Sequence, residues 1–581
     1  MRKKNQTLSK DFRSVLRFRL ILIASLFILY GATLGARLFF LQIINHEALA
    51  AQSEKQYAAT TKIVYGRGTI LDRNQNELAM NVEVESVYIT PSKVVDKQHT
   101  ARTLASHLQL DQKKVYNKIS SKKHFVWIKR KCDLKASEKL RRLDLPGVGF
   151  ISEQKRFYPK RELAANVTGF VGLDNQGLSG VEHHYQSTLK GTTVRRVIEK
   201  DARGRNIGAI GQSGKSKTKS RDVVLTLDEV IQFITERHLK EQIEKYQAEA
   251  GTAIVMEPYT GEILALANFP HFNPNKYLAY PPQKWKNPAI SSSFEPGSIF
   301  KPIAAAAALD SGAAKPNDLF FCENGKIHIG RVPIGEASNH RFGWLSLQNI
   351  IVKSSNIGAI KIAQKIGNQS FYNYIRKFGF GDKTGIDLPG ESPGQLKHVS
   401  QWSDLSLASI SFGHEIAVTP IQMVAALSAI ANGGNLMLPR ITKAVLKNGK
   451  VVETYTPKGV RRVISEKTSR QMIEILKKTV KTGTGTPAAL TGFEAAGKTG
   501  TAQKYDKVSG AYSKKDYLSS FVGFVPADAP KLVVLVMIDS PRKAYWGGEV
   551  AGPVFRKISK EVLRYLNVPA KDERVYFLSR A

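Results

Sequence analysis

Three short stretches carry side chains whose types and spacing suit nucleophilic catalysis. The first, "FEPGSIFKP", holds Ser298-Ile-Phe-Lys301. Positions three apart on a helix share a face, so this hydroxyl and amine can meet. Pro302 is tolerated only where its missing N–H would have had no partner, which sets the helix start close to Ser298. The hydroxyl then stands at the positive end of the helix dipole, beside free N–H groups able to stabilise an oxyanion. The same spacing recurs at Ser120 to Lys123, Ser216 to Lys219 and Ser540 to Lys543. None of these has a comparable helix start, and solvated side chains are expected there.

A serine needs a base. A lysine with a solution pKa of ~10.4 is protonated at neutral pH, and it becomes a base only where burial and neighbouring positive charge depress that value. A second lysine facing the site would supply the charge and also hold an anionic substrate group. Two Lys-Thr-Gly-Thr copies compete for this place, Lys481 to Thr484 and Lys498 to Thr501. The first follows "SRQMIEILKKTV", apolar at Met472, Ile473, Ile475 and Leu476, with Lys481 in the last turn. Gly483 and Gly485 can serve as C-cap residues and Pro487 prevents continuation, so this copy reads as a helix terminus. The second lies between "FEAA" and "AQK" and reads as extended. Strand geometry sends Lys498 and Gly500 to one face and Thr499 and Thr501 to the other, with the glycine allowing close backbone approach. The chemistry is therefore expected at Lys498. The third stretch, "KSSNIG", holds Ser354-Ser355-Asn356, a hydroxyl and an amide two residues apart. They suit proton relay and fixing of a substrate carbonyl, although alone this pattern is that of a loop or helix cap.

The order Ser298-x-x-Lys301, Ser354-x-Asn356, Lys498-Thr-Gly-Thr501 resembles the motif triplet of penicillin-binding proteins and serine β-lactamases. Three further boxes are similar to the pedestal of the class B enzymes: "GRGTILDRNQNELA" (66–79), "RFYPKRELAANVTGFVG" (156–172) and "GLSGVEHHY" (177–185). Gln75 departs from the usual glycine after "DRN", which leaves that turn's geometry open. "SFEPGSIFKP", "KSSNIGAIKIA", "SFGHEIAVTPIQM" and "GGEVAGPVF" are each similar to the division-specific FtsI, or penicillin-binding protein 3, type.

That resemblance implies an α+β fold: a penicillin-binding transpeptidase domain with helices on both sides of an antiparallel sheet, preceded by a mixed α/β pedestal and one transmembrane helix. It implies a peptidoglycan D,D-transpeptidase of septal wall synthesis. Ser298 is the nucleophile, Lys301 the general base, Ser354 the proton relay, and Asn356 and Lys498 complete the catalytic set. Thr499, Gly500 and Thr501 bind substrate, with the N–H groups of Ser298 and Thr501 as oxyanion hole. The implied partners are stem peptides ending in D-Ala-D-Ala, β-lactams, an FtsW-type glycosyltransferase and other divisome membrane proteins. No metal or organic cofactor is required. An elongation-type class B enzyme, a D,D-carboxypeptidase or β-lactamase-like hydrolase, and a penicillin sensor remain alternatives.

The positioning elements must come from 581 residues, too many for one hydrophobic core, so two or three domains are expected. Leu20 to Ala36 contains no charge and just reaches across ~30 Å of hydrocarbon. Ahead of it Arg2, Lys3, Lys4, Lys10, Arg13, Arg17 and Arg19 face only Asp11. The positive-inside rule makes residues 1–19 a cytoplasmic arm and 20–41 an uncleaved, single-pass inner-membrane anchor, with a cleaved signal as the alternative. The rest is expected in the periplasm: a pedestal over 60–210, a linker over 211–221, the transpeptidase domain over 222–566 and a tail over 567–581. In "LTLDEVIQFITERHLKEQIEKY", Thr226 and Glu229 read as a capping box, with Val230, Ile231, Phe233, Ile234 and Leu239 at helical spacing. "GTAIVMEP" and "GEILALAN" flank Tyr259 and Thr260 as a hairpin. With "KLVVLVMIDS" and a final helix from about Pro553, they suggest an antiparallel sheet with the first and last helices on one face. Cys132 and Cys322 form no disulfide framework or metal cluster, and His183 and His184 read as surface residues. The net charge of +37 is spread along the chain without a nucleic-acid motif, so no nucleic-acid partner is expected.

Overall fold

A computed structural model describes residues 10–64, 66–191, 193–200, 206–208, 220–506 and 510–570. The chain divides into two compact units, 1–65 with 192–218 and 66–191 with 219–581. The expected pedestal thus contributes to both. The expected linker lies outside the described residues except for Ser220 and Arg221, as do residues 1–9 of the arm and 571–581 of the tail.

In the first unit, helix Lys10–Phe39 runs through a short π-turn, Phe40–Ile44, into helix His46–Tyr57. The stretch Ser14–Ile44 is long and apolar enough to cross a membrane, and its large apolar side chains from Leu20 to Leu29 are all exposed. Such a surface fits hydrocarbon rather than water. Strand Ala58–Val64 then pairs antiparallel with Thr193–Lys200.

The second unit is built on a five-stranded antiparallel sheet. Its strands lie in the order Ile263–Phe269, Ala250–Met256, Leu532–Asp539, Ala511–Val525, Ala496–Asp506. Both faces are covered, which is why Ile263–Phe269, Ala250–Met256 and Leu532–Asp539 read as nearly unbroken apolar runs. Ala253, Val255, Val534 and Val536 pack against helices Glu229–Tyr246 and Gly552–Tyr565. Ile254, Met256, Val533 and Leu535 face the core that holds helices Lys301–Asp310 and Pro420–Ala431. Alternation with period two divides these neighbours between the faces. The first and last helices of the domain share one face, as expected, and the hairpin about Tyr259 and Thr260 is present.

The start of the first helix differs from expectation. Asp228, not Thr226, is the N-cap, accepting from the N–H groups of Val230 (3.0 Å) and Ile231 (3.2 Å). A carboxylate both caps and complements the dipole. Thr226 is instead buried beyond strand Asp222–Leu225, its hydroxyl donating to Ile263 O (2.8 Å) and Arg440 O (2.9 Å). Ile231, Ile234 and Leu239 are buried, whereas Val230 and Phe233 are exposed. At 3.6 residues per turn, neighbours along the chain point about 100° apart and cannot share one narrow face.

The part of the pedestal in this unit joins the catalytic region through a shared sheet. Ile70–Leu71 runs parallel to Asp222–Leu225, which pairs with Thr442–Lys447. Asp72 reinforces the join: Oδ1 accepts from Asn74 N and Asn76 N (2.8 and 2.7 Å), and Oδ2 accepts from Glu229 N (3.1 Å) at the helix start. The turn so formed holds Gln75 at φ +68°, the left-handed region in which a side chain costs about 1–2 kcal/mol. The glycine-like geometry is therefore kept without the glycine. Nearby, fully buried Glu182 joins Arg67 to Arg156, whose Nε lies 2.6 Å from Oε1. Further out, Glu77–Ile89, Val126–Cys132 and Val148–Phe157 form a sheet. Residues of helices Lys97–Leu108, Gln112–Ile119 and Leu134–Arg142 share its core. Both cysteines are free and buried, and both paired histidines are exposed.

Candidate active site

Ser298 lies in a 3-10 turn, Gly297–Phe300, that leads directly into α-helix Lys301–Asp310. The helix begins where Pro302 requires, with Ser298 one turn ahead of it. Lys301 to Leu309 are all buried, and the run of alanines lets neighbours approach this helix closely. Gly297, at φ +55°, donates its N–H to Gly413 O at 3.0 Å. The turn packs directly on the edge strand Ala496–Asp506. A Cβ on Gly500 would lie 3.0 Å from Ile299 Cγ2 and 2.4 Å from Ser520 Oγ, and one on Gly297 would lie 3.3 Å from Ala502 Cβ. The expected close approach at Gly500 is therefore met by the turn that carries Ser298.

Ser354 is the left-handed corner, φ +61°, between helices Leu347–Lys353 and Asn356–Ile366. Lysines from two other elements reach it. Lys301 Nζ donates to Ser354 O (2.6 Å), Asn356 Oδ1 (2.8 Å) and Ser354 Oγ (3.4 Å). Lys498 Nζ donates to the same Oγ at 2.9 Å. Thus Lys301, Ser354, Asn356 and Lys498 form one hydrogen-bonded cluster. Ser298, half-buried, belongs to the turn preceding Lys301, and Lys301 Nζ directs its bonds to Ser354 and Asn356.

Both lysines are fully buried. Burial brings Lys301 down to about 7, against an opposing pull from the Glu336 carboxylate. Lys498 lies well below its usual range, first through burial and then through repulsion by Lys301. Neighbouring positive charge was expected to act on Lys301; desolvation dominates there instead, and the repulsion acts on Lys498. A desolvated amine with a pKa near neutrality can accept a proton at physiological pH.

Thr499 is buried and its Oγ1 lies 2.8 Å from Thr484 Oγ1; Thr501 Oγ1 accepts from Gly547 N at 2.9 Å. The first copy is indeed a helix end: Lys481 is exposed in the last turn of Glu466–Thr482, with Gly483 as C-cap. Its Thr484 nevertheless touches the second copy. Ser120 and Lys123 are exposed as expected, and Ser216 lies outside the described residues. Ser540 is a correction, because it is buried rather than solvated. Its hydroxyl bonds to Asp539 Oδ1 (2.9 Å) and Lys504 Nζ (3.2 Å), while Lys543 is exposed.

Sequence reasoning missed Glu336, whose carboxylate accepts from Asn356 N at 2.6 Å. It also missed Glu295, three residues before Ser298, which accepts from Tyr512 Oη (2.9 Å) and Glu415 N (3.0 Å). Neither glutamate has a sequence signal, since each reaches residues that only the fold brings near. Among the described residues no group of His, Cys, Asp and Glu is placed to hold a metal.

Two buried amines converging on a serine, beside a second serine at the start of a buried helix and the edge of an antiparallel sheet, are the features of the penicillin-recognising serine enzymes. Residues 251–560 match the penicillin-binding protein transpeptidase domain, and residues 62–225 match the penicillin-binding protein dimerisation domain. The chain belongs to the class B penicillin-binding proteins. It is 34% identical to stage V sporulation protein D of Bacillus subtilis, over 99% of this chain and 88% of that protein. It is 32% identical to the peptidoglycan D,D-transpeptidase FtsI of Buchnera aphidicola, over 95% and 96%. Among solved structures, penicillin-binding protein 3 of Mycobacterium tuberculosis in complex with aztreonam aligns with TM-score 0.68 and 30% identity, covering 88% of this chain and 98% of that one.

Proposed function

We propose that this protein cross-links peptidoglycan during septal wall synthesis through an acyl-enzyme on Ser298. The observation that carries the mechanism is the pair of buried amines, Lys301 and Lys498, hydrogen-bonded to one hydroxyl, Ser354 Oγ.

Ser298 Oγ attacks the carbonyl carbon between the two terminal D-alanines as its proton passes to neutral Lys301. The N–H groups of Ser298 and Thr501 hold the oxyanion, each such donor being worth ~3 to 4 kcal/mol in other hydrolases. The C–N bond then breaks. Ser354, polarised by Lys498, delivers a proton to the departing D-alanine amine and is reprotonated from Lys301. Asn356 holds the donor's side-chain amide, and Thr499 and Thr501 its terminal carboxylate. An amine of a neighbouring strand attacks the ester, loses its proton to Lys301, and Ser298 leaves with a proton regained. A β-lactam carbonyl takes the same place and acylates Ser298.

Labelling with a fluorescent penicillin tests the site. Ser298→Ala should abolish it, whereas Ser120→Ala and Ser216→Ala should retain it; an adduct mapped to another serine would overturn the scheme.

The septal role rests on the FtsI-like motifs, so depletion should give filaments, and rounded cells would favour the elongation role. Residues before Leu20 are cytoplasmic and the catalytic domain periplasmic in this reading, supported by the basic arm and apolar helix. Reporter fusions after residue 60 should be active only outside the cytoplasm.

An FtsW-type glycosyltransferase supplies the strands in trans. The anchor offers small residues at Ala24, Ser25, Gly31, Ala32 and Gly35, and a Cβ at Gly31 or Gly35 would meet nothing within 4 Å. That leaves room for close approach of another helix. Bulky replacement at both glycines should weaken co-purification with the polymerase while leaving penicillin acylation intact; unchanged co-purification would remove the anchor from the contact.

A further inference from the structure

We propose that Glu336 is a positioning residue for acylation, its carboxylate holding the Ser354-Ser355-Asn356 corner in register with Lys301. Glu336 follows the hairpin formed by Lys326–Ile329 and Val332–Gly335, and only 8% of it is exposed. Oε2 accepts from Asn356 N at 2.6 Å, and Oε1 accepts from Ser355 Oγ and, at 3.4 Å, from Ile357 N.

These contacts occupy the start of helix Asn356–Ile366, where the first N–H groups have no partner within the helix. Ser355 completes the set by accepting from Gly358 N at 2.9 Å. A fixed negative charge at this end is favourable to the helix dipole. Gly335, the residue before Glu336, takes Asn356 Nδ2 at 3.0 Å. Asn356 is consequently held through its backbone N–H and its amide nitrogen, leaving Oδ1 toward Lys301 Nζ. One short segment thereby fixes which way the catalytic amide points.

The carboxylate also acts through space. The charged groups facing Lys301 are Glu336, from the loop, and Lys498, from the edge strand; Glu336 raises the Lys301 pKa against burial. The Cys322 thiol lies 3.6 Å from Ser355 Oγ, and Glu336 and the Lys361–Glu323 ion pair both act on it. Glu336 touches neither Ser298 nor the expected position of substrate, so its effect passes through Asn356 and Lys301.

The inference rests on Ser298 acylation. That reading is tested by wild type against Ser298→Ala, whereas Glu336 is tested by ratios between variants that all retain Ser298. The full-length protein in detergent would be acylated by a chromogenic cephalosporin across a pH series, with thermal melting alongside. Glu336→Gln keeps the size but removes the charge and puts an amide donor against N–H groups. It should slow acylation at neutral pH by about a hundredfold, the scale of a displaced catalytic group. It should also move the acidic limb of the rate profile to lower pH, because losing the carboxylate disfavours the Lys301 ammonium. Glu336→Asp, with charge kept at shorter reach, should lose about tenfold and keep the wild-type limb. A Gln variant within twofold of wild type, or one slowed with an unmoved limb, overturns the proposal. Should the Gln variant fail to fold, the Asp variant decides by its rate, and acylation at the wild-type rate overturns the proposal equally.

Discussion

The hydroxyls of Thr484 and Thr499 lie 2.8 Å apart, so the two Lys-Thr-Gly-Thr copies meet in space. The first copy also leans on the helix that ends at Ser354: Thr484 N donates to Val352 O at 3.3 Å, and a Cβ on Gly483 would lie 2.5 Å from that carbonyl. The helix terminus is thus a buttress between the Ser354 corner and the edge strand.

The two copies should separate by residue. Lys498→Ala removes the hydrogen bond that polarises Ser354 and one of the two buried amines, and acylation should fall by orders of magnitude. Thr484→Val removes one hydrogen bond of about 1 kcal/mol and should slow acylation about fivefold. Lys481, exposed in the last helical turn, makes neither contact, and Lys481→Ala should leave the rate within twofold. Stopped-flow acylation of the three variants checks the order.

Gln75→Gly should stabilise the protein. The left-handed turn about Asp72 strains any residue with a Cβ by about 1–2 kcal/mol, and glycine gives back part of that through its freer unfolded chain. A net gain of about 0.5–1 kcal/mol is expected in denaturant unfolding. A loss would mean that the Gln75 side chain contributes more than its backbone costs.

Glu182→Ala should destabilise far more. It leaves Arg67 and Arg156, 5% and 3% exposed, without their shared carboxylate, and breaking a buried charge cluster from one side costs about 3–5 kcal/mol. Because this cluster sits in the same compact unit as the catalytic sheet, a lowered melting temperature should appear with Ser298 acylation retained below the transition. Acylation lost at temperatures where the protein remains folded would instead show that the cluster shapes the site.

What the sequence revealed was local: Ser298 before a proline-limited helix, Lys498 on a segment that reads as extended, and Lys481 on a capped helix end. Each follows from rules reaching only a few residues. Contacts across the fold were not legible. Glu336 reaches Asn356 over 20 residues, and Thr484 reaches Thr499 over 15. Ser540 is buried because Asp539 ends a central strand. Thr226 is no cap for a related reason: it directly follows strand Asp222–Leu225, its side chain turned toward the carbonyls of Ile263 and Arg440, and the helix starts two residues later, at Asp228.

The last prediction concerns Lys301 and pH. Its folded value of about 7 lies below the ordinary 10.5, so between these values the unfolded chain binds the additional proton. Stability therefore rises with pH across that window. Below the folded value both states are protonated and the burial cost is fully felt; above 10.5 neither is, and the cost has gone. Lys301→Met, which cannot titrate, should show a flatter rise in melting temperature from about 7 upward, while sharing every surface titration with wild type. The difference between the two curves isolates this group. Lys498, also depressed by burial, should show the same sign in Lys498→Met. Acylation supplies an independent readout in the protein that retains both lysines: the wild-type rate should fall about tenfold per pH unit below the Lys301 value as the neutral base is lost. Parallel melting curves for wild type and Lys301→Met would show that burial does not depress Lys301, and the base would have to be sought elsewhere in the cluster.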